Sequence, residues 1–182
     1  MNRERPLAVQ VVHRGRLLQV RVETVALPGG RQAQREIVEH PGAVVMVPQR
    51  DDGKLLFVEQ YRRAADRVLL ELPAGTCRPE EPPEETARRE LIEECGQAAG
   101  RLIPLGAFFA APGYSTELLH CYLATDLRPA SAPPDADEAI TVVPLSLAEV
   151  RQRIAHGAFA DAKTLAGLLL ALPRLEGWPL DP

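Results

Sequence analysis

Apolar and polar residues alternate through the first forty positions: Val9 and Val11, then Leu18, Val20 and Val22, then the β-branched pair Ile37 and Val38 beyond the turn Pro28-Gly29-Gly30. Period-two alternation broken by turn residues predicts a meander of two or three strands. So small a sheet is marginal alone and is expected to pack on the rest of the chain or on a partner. From Ala43 to Pro48 the pattern becomes continuously apolar, the mark of a strand buried on both faces. Asp51-Asp52-Gly53 then turns the chain into a further strand over 54–62, a hairpin signal, and another β-rich stretch covers 68–75. Strand patterns recur from Arg101 to the turn Pro112-Gly113, again over 116–127, and from Ile140 to Leu145. Two helices close the chain. Ser146 and Glu149 match a capping box at the first, and Leu165, Leu168, Leu169 and Leu172 form a helically spaced stripe on the second, expected to be core.

One stretch departs from this rhythm. Residues 75–96 read GTCRPEEPPEETARRELIEECG. Pro82 and Pro83 suit a first helical turn, Glu81, Glu84 and Glu85 complement the positive dipole end, and Gly96 suits the residue just past the helix. At about 3.6 residues per turn Glu90, Glu93 and Glu94 share one face. Each like-charge pair at that spacing costs roughly 0.2–0.5 kcal/mol. Two readings follow: a solvated acidic face, or a seat for a hard divalent cation, which prefers carboxylate oxygens and often carries phosphate as well.

Composition narrows the field. A chain of 182 residues fits one domain, with or without a small appendage, and 46% hydrophobic with 25% charged residues is ordinary for a globular protein. A net charge of −4 without a basic run argues against nucleic-acid binding, so a polyphosphate substrate would need a cation as intermediary. Cys77, Cys95 and Cys121 are odd in number and lack CxxC spacing, which points away from disulfides and zinc and toward a reduced compartment. The first fifteen residues lack an apolar signal-type core and no stretch is long enough to cross a bilayer, so the expectation is a cytoplasmic protein without membrane contact.

The acidic stretch resembles the Nudix box, G-x5-E-x7-R-E-U-x-E-E-x-G-U with U a bulky apolar residue: Gly75, Glu81, Arg89, Glu90, Leu91, Glu93, Glu94 and Gly96 all fall on the pattern. Gln97 departs from it at the final U. Outside the box, EQYR at 59–62, ELPAG at 71–75, APGYSTE at 111–117 and DAKTLAGLLLAL at 161–172 are similar to the ADP-ribose pyrophosphatase branch, and related sugar-nucleotide hydrolases share most of them. The resemblance implies an α+β fold, a mixed β-sheet sandwiched between helices over 43–182, preceded by an antiparallel β subdomain over 1–42. In that branch the N-terminal sheet commonly forms a homodimer whose two subunits shape each nucleotide pocket.

What the resemblance implies for chemistry is hydrolysis of the diphosphate of ADP-ribose to AMP and ribose 5-phosphate, with Mg²⁺ as cofactor and Mn²⁺ as its substitute. Glu90 and Glu94, with the carbonyl of Ala74, would ligate the metal, and Glu93 would share it or take a proton from the attacking water. The general base would sit on the 128–138 loop, with Glu138 first among its acids; a solvent-exposed acidic loop is the alternative. Gly75, Glu81, Arg89 and Gly96 would be structural. Arg62 would fork onto phosphate or, alternatively, form a surface ion pair. Glu117 would contact the terminal ribose or a metal-held water, or simply cap a turn. Tyr61, Phe108, Phe109 and Tyr114 are available for base stacking but are expected to be core. GDP-mannose, another ADP-sugar and FAD are the rival substrates, and a non-catalytic nucleotide-binding module is the rival class.

Overall fold

The structure is a computed structural model that describes residues 3–132 and 139–175. It divides into two compact units, one built from residues 1–42 with 109–118, the other from 43–108 with 119–182. The segment 109–118 thus leaves the unit of its flanking strands and joins the N-terminal one, a division the local pattern did not anticipate.

In the first unit, β1 (Arg5–Arg14), β2 (Gln19–Ala26) and β3 (Gln32–Glu39) form an antiparallel sheet in that order. The meander is as expected, and Val25 alone among its strand residues is buried. The 109–118 segment is fastened to β3 by backbone: Val38 N–H donates to the Tyr114 carbonyl at 2.7 Å, and Thr116 N–H to the Val38 carbonyl at 3.0 Å.

The second unit holds two further sheets. One has the order β7 (Ala74–Thr76), β4 (Ala43–Pro48), β9 (Leu118–Pro129), β8 (Gln97–Phe109), with β4 parallel to β9 and antiparallel to β7. The other has the order β10 (Ile140–Leu145), β5 (Leu55–Arg62), β6 (Arg67–Glu71). The hairpin signal at Asp51-Asp52-Gly53 is therefore a turn without a hairpin: β4 and β5 lie in different sheets, tied by a single bridge between Gln49 and Leu55. Local turn chemistry is the same in both cases, and pairing was decided by the partners β9 and β10.

Why β4 reads as an unbroken apolar run is now visible. Val45 and Val47 point into a core shared with Phe57, Leu72 and Leu168, while Val44 and Met46 point into a second core with Leu91, Ala87 and Tyr122. Helix α1 (Pro83–Cys95) covers the second core; α2 (Leu147–Ala155) and α3 (Ala162–Ala171) cover the first. Phe57 stacks on Phe159 with ring centroids 5.3 Å apart. The capping box of α2 forms as expected, Ser146 accepting from Glu149 N–H while the Glu149 carboxylate accepts from Ser146 N–H.

The leucine stripe of α3 needs correction. Leu168 is buried, but Leu165 and Leu169 are exposed; the inward face is Thr164, Gly167, Leu168 and Ala171. A Cβ on Gly167 would lie 2.7 Å from Leu72 Cδ1, so the helix approaches the sheet along its small residues and the larger leucines are turned outward.

Candidate active site

Helix α1 begins with Pro at its first positions and Glu84 and Glu85 in its first turn, and ends at Gly96 with φ +63°, whose N–H donates to the Ile92 carbonyl at 2.9 Å. Its apolar face, with Ala87, Leu91 and Cys95, is buried in the second core, which fixes the rotation of the helix and hence the direction of its glutamates. Glu94 is only 7% exposed and accepts a hydrogen bond from the Ala74 N–H at 3.0 Å. Glu90 lies directly over Gly75: a Cβ there would come within 1.9 Å of the Glu90 carboxyl carbon. Gly75 is therefore required by close approach, since any side chain would push Glu90 out of place. The solvated acidic face is thereby excluded for Glu90 and Glu94.

Arg89 holds the rest of the arrangement. Its Nε and Nη2 fork onto Glu81 at 3.1 and 3.0 Å, and its Nη1 reaches Glu90 at 2.6 Å and Glu93 at 2.7 Å. One guanidinium thus joins the loop acid to two glutamates of the helix, and part of the like-charge repulsion foreseen in the sequence is neutralised within the chain. Hydrogen bonding from Arg89, against the opposing effect of partial burial and with further help from Thr86, brings the Glu81 carboxyl down to about 2. The same bonds raise Arg89 above its ordinary value. Among the described residues no three His, Cys, Asp or Glu side chains already converge as a cation cage. The donor set of Glu90, Glu93 and Glu94 is nonetheless all carboxylate oxygen on one helix face, which suits a hard divalent cation and not a soft one.

Arg62 makes the ion pair that was its alternative reading, but a buried one. Its Nε and Nη2 donate side-on to Glu71 at 2.9 and 2.7 Å, and Glu71 is 1% exposed. Lys163 from α3 reaches the same carboxylate and also Asp161 at 3.0 Å. Burial alone would raise the Glu71 carboxyl; hydrogen bonds from Arg62 and the charge and hydrogen bond of Lys163 outweigh it and bring it below its usual range. Glu94 contributes to the field that raises Arg62, so this guanidinium lies within electrostatic reach of the glutamate face. Sequence reasoning missed Glu71 and Lys163 as partners, because 92 residues separate them; the phrases ELPAG and DAKT were the available signal.

Glu117 belongs to the first unit, where its backbone N–H donates to Ser115 Oγ at 3.1 Å and its carbonyl accepts from the Ala110 N–H at 3.0 Å. Glu138 lies outside the described residues. Tyr61, Phe109 and Tyr114 are half or more exposed, against the expectation of core packing; Phe108 does pack against the core. All three cysteines are free thiols, and burial pushes Cys95 and Cys121 up to about 12. No helix among the described residues is long and apolar enough to cross a membrane.

Comparison with known proteins bears on this geometry directly. The family described as NUDIX domain matches residues 39–167. An ADP-ribose pyrophosphatase of Bacillus subtilis (strain 168) is 37% identical over 88% of each chain. Another, of Mycobacterium tuberculosis, is 38% identical over 96% of this chain and 88% of its own. A solved structure, described as an ADP compounds hydrolase, superposes with a TM-score of 0.85 at 29% identity over 96% of this chain and 95% of its own. The glutamate helix, the glycine pressed against it and the extent of these matches lead to one assignment: the chain belongs to the Nudix family.

Proposed function

We propose that this Nudix pyrophosphohydrolase cleaves the diphosphate of ADP-ribose to AMP and ribose 5-phosphate with the help of a divalent cation. The observation that carries the reading is the pair Glu90 and Glu94, held half-buried and buried on one face of α1 against Gly75 and Ala74. Its similarity to relatives named for ADP-ribose favours that substrate over GDP-mannose, another ADP-sugar or FAD.

Glu90, Glu94 and the Ala74 carbonyl hold the cation, with Glu93 sharing it; Mg²⁺ is the natural occupant and Mn²⁺ its substitute. When bound, the cation neutralises the diphosphate oxygens and lowers the pKa of water at the site. The chain's own groups do the rest. Glu93, steadied by Arg89, accepts the proton of the attacking water, a role open also to Glu138. A new P–O bond forms as the bridging P–O bond breaks, and AMP and ribose 5-phosphate separate. Arg62 steadies the diphosphate and Glu117 the terminal ribose. The enzyme works as a homodimer through its N-terminal sheet, in the cytoplasm, where its free thiols stay reduced.

A substrate panel tests this. Purified protein with Mg²⁺ is expected to release AMP from ADP-ribose faster than it cuts GDP-mannose or FAD, and Glu94→Gln is expected to lower turnover by orders of magnitude with the fold intact. Rapid cleavage of another nucleoside diphosphate without AMP from ADP-ribose would refute the substrate. Unchanged turnover in Glu94→Gln would refute the site.

A further inference from the structure

Four charged side chains alternate in sign across the second unit: Arg62, Glu71, Lys163 and Asp161. Asp161 also caps α3, its Oδ2 accepting from the Thr164 N–H at 3.0 Å and hydroxyl at 2.6 Å. Their side-chain exposures are 39, 1, 17 and 16%, so the chain of charges opens to solvent chiefly at Arg62. Stability alone does not call for such a network, since buried ion pairs roughly break even against apolar residues of the same volume. What it does achieve is to fix one guanidinium. Side-on pairing engages Nε and Nη2 of Arg62 and turns Nη1 away from Glu71, while Glu94 of the carboxylate helix contributes to the field at this guanidinium. The backbone after Glu71 is held by both helices, α3 and α1. Leu72 N–H donates to Thr164 Oγ1 at 2.8 Å, and two residues on, Ala74 N–H donates to Glu94.

We propose that Glu71 and Lys163 are positioning residues for substrate binding: anchored by the capped start of α3, they hold the Arg62 guanidinium ready to receive a phosphate of the nucleoside diphosphate. The proposal rests on the reading of Arg62 as a diphosphate ligand. A free arginine side chain must be ordered when it binds; one already forked onto a buried carboxylate has been ordered during folding, which preserves binding energy. Lys163 supplies the second positive charge that lets Glu71 stay ionised while sharing itself with Arg62.

Steady-state kinetics on Glu71→Gln, Lys163→Met, Lys163→Arg and Arg62→Lys, with melting temperature followed for each, tests this on whichever nucleoside diphosphate the wild type cleaves. Glu71→Gln and Lys163→Met are expected to raise KM about tenfold with kcat within about twofold, the mark of lost uniform binding, and Lys163→Arg to restore KM. Adding Glu71→Gln to Arg62→Lys should raise KM little further, because both act through one guanidinium. A lowered melting temperature with unchanged KM would make the network merely structural and overturn the proposal. So would additive effects in the double variant. If Arg62→Lys leaves KM unchanged, the diphosphate reading of Arg62 fails and the inference with it, whereas the reaction itself stands or falls separately on Glu94→Gln. Should Glu71→Gln not fold, Lys163→Met and its Lys163→Arg rescue decide alone.

Discussion

Gly75 and Arg89 show how much of the site rests on single residues. Because a Cβ at position 75 would meet Glu90 at 1.9 Å, Gly75→Ala is expected to displace the carboxylate proposed to hold the cation and cut kcat at least tenfold, with a near-native circular dichroism spectrum. Arg89 pairs with three glutamates, so Arg89→Met leaves them facing one another without a counter-charge. A fall in stability of about 2 kcal/mol is expected in denaturant titration, below the roughly 3–5 kcal/mol of a fully buried pair because these groups are partly solvated. Glu81 adds a pH signature. Its folded-state pKa near 2 lies below the ordinary 4.5, so its stabilisation is complete above about pH 4.5 and is lost as pH falls toward 2. Melting temperature against pH should drop through that window in the wild type and drop less in Glu81→Gln.

At the level of the element, α3 is the instructive case. Counting leucines at helical spacing selects the wrong face in part: Leu168 is 1% exposed, whereas Leu165 and Leu169 are 43% and 68% exposed. Leu168→Ala should cost about 2–5 kcal/mol in denaturant titration, and Leu169→Gln should stay within about 0.5 kcal/mol of wild type. The same helix presents Lys163 and Thr164 to β6 and the residue after it, which makes it an anchor for the stretch 71–75 as well as a cover for the core.

For the whole molecule, the N-terminal sheet is the part a single chain leaves unfinished. Its first strand is exposed along its full length, with Leu7, Val9, Val11 and Val12 between 39% and 57% accessible, and it lies at a sheet edge. Proteins protect such edges by pairing or covering them. The proposed homodimer would do so, and sedimentation analysis should find a dimer that Val9→Glu converts to monomer; a monomeric wild type would count against it.

Spacing along the chain was enough to specify α1, because a helix fixes the relative directions of Glu90, Glu93 and Glu94 whatever surrounds it, and because Pro83 and Gly96 bound it by their own backbone preferences. The strands β4 and β10 were legible for a similar reason, their apolar runs matching the observed elements residue for residue. Pairing was not. Whether the turn at Asp51-Asp52-Gly53 closes a hairpin depended on competition from β9 and β10, which lie more than 60 residues further on. The ion pair of Arg62 was equally hidden: an arginine at a strand end looks the same whether it meets water or a buried carboxylate. By itself the sequence determined which carboxylates gather on one helix, since that follows from a local period. Only the tertiary structure decided that Glu90 would press on Gly75 and that Lys163 would reach Glu71, because each of these contacts requires separate elements to pack before the side chains can meet.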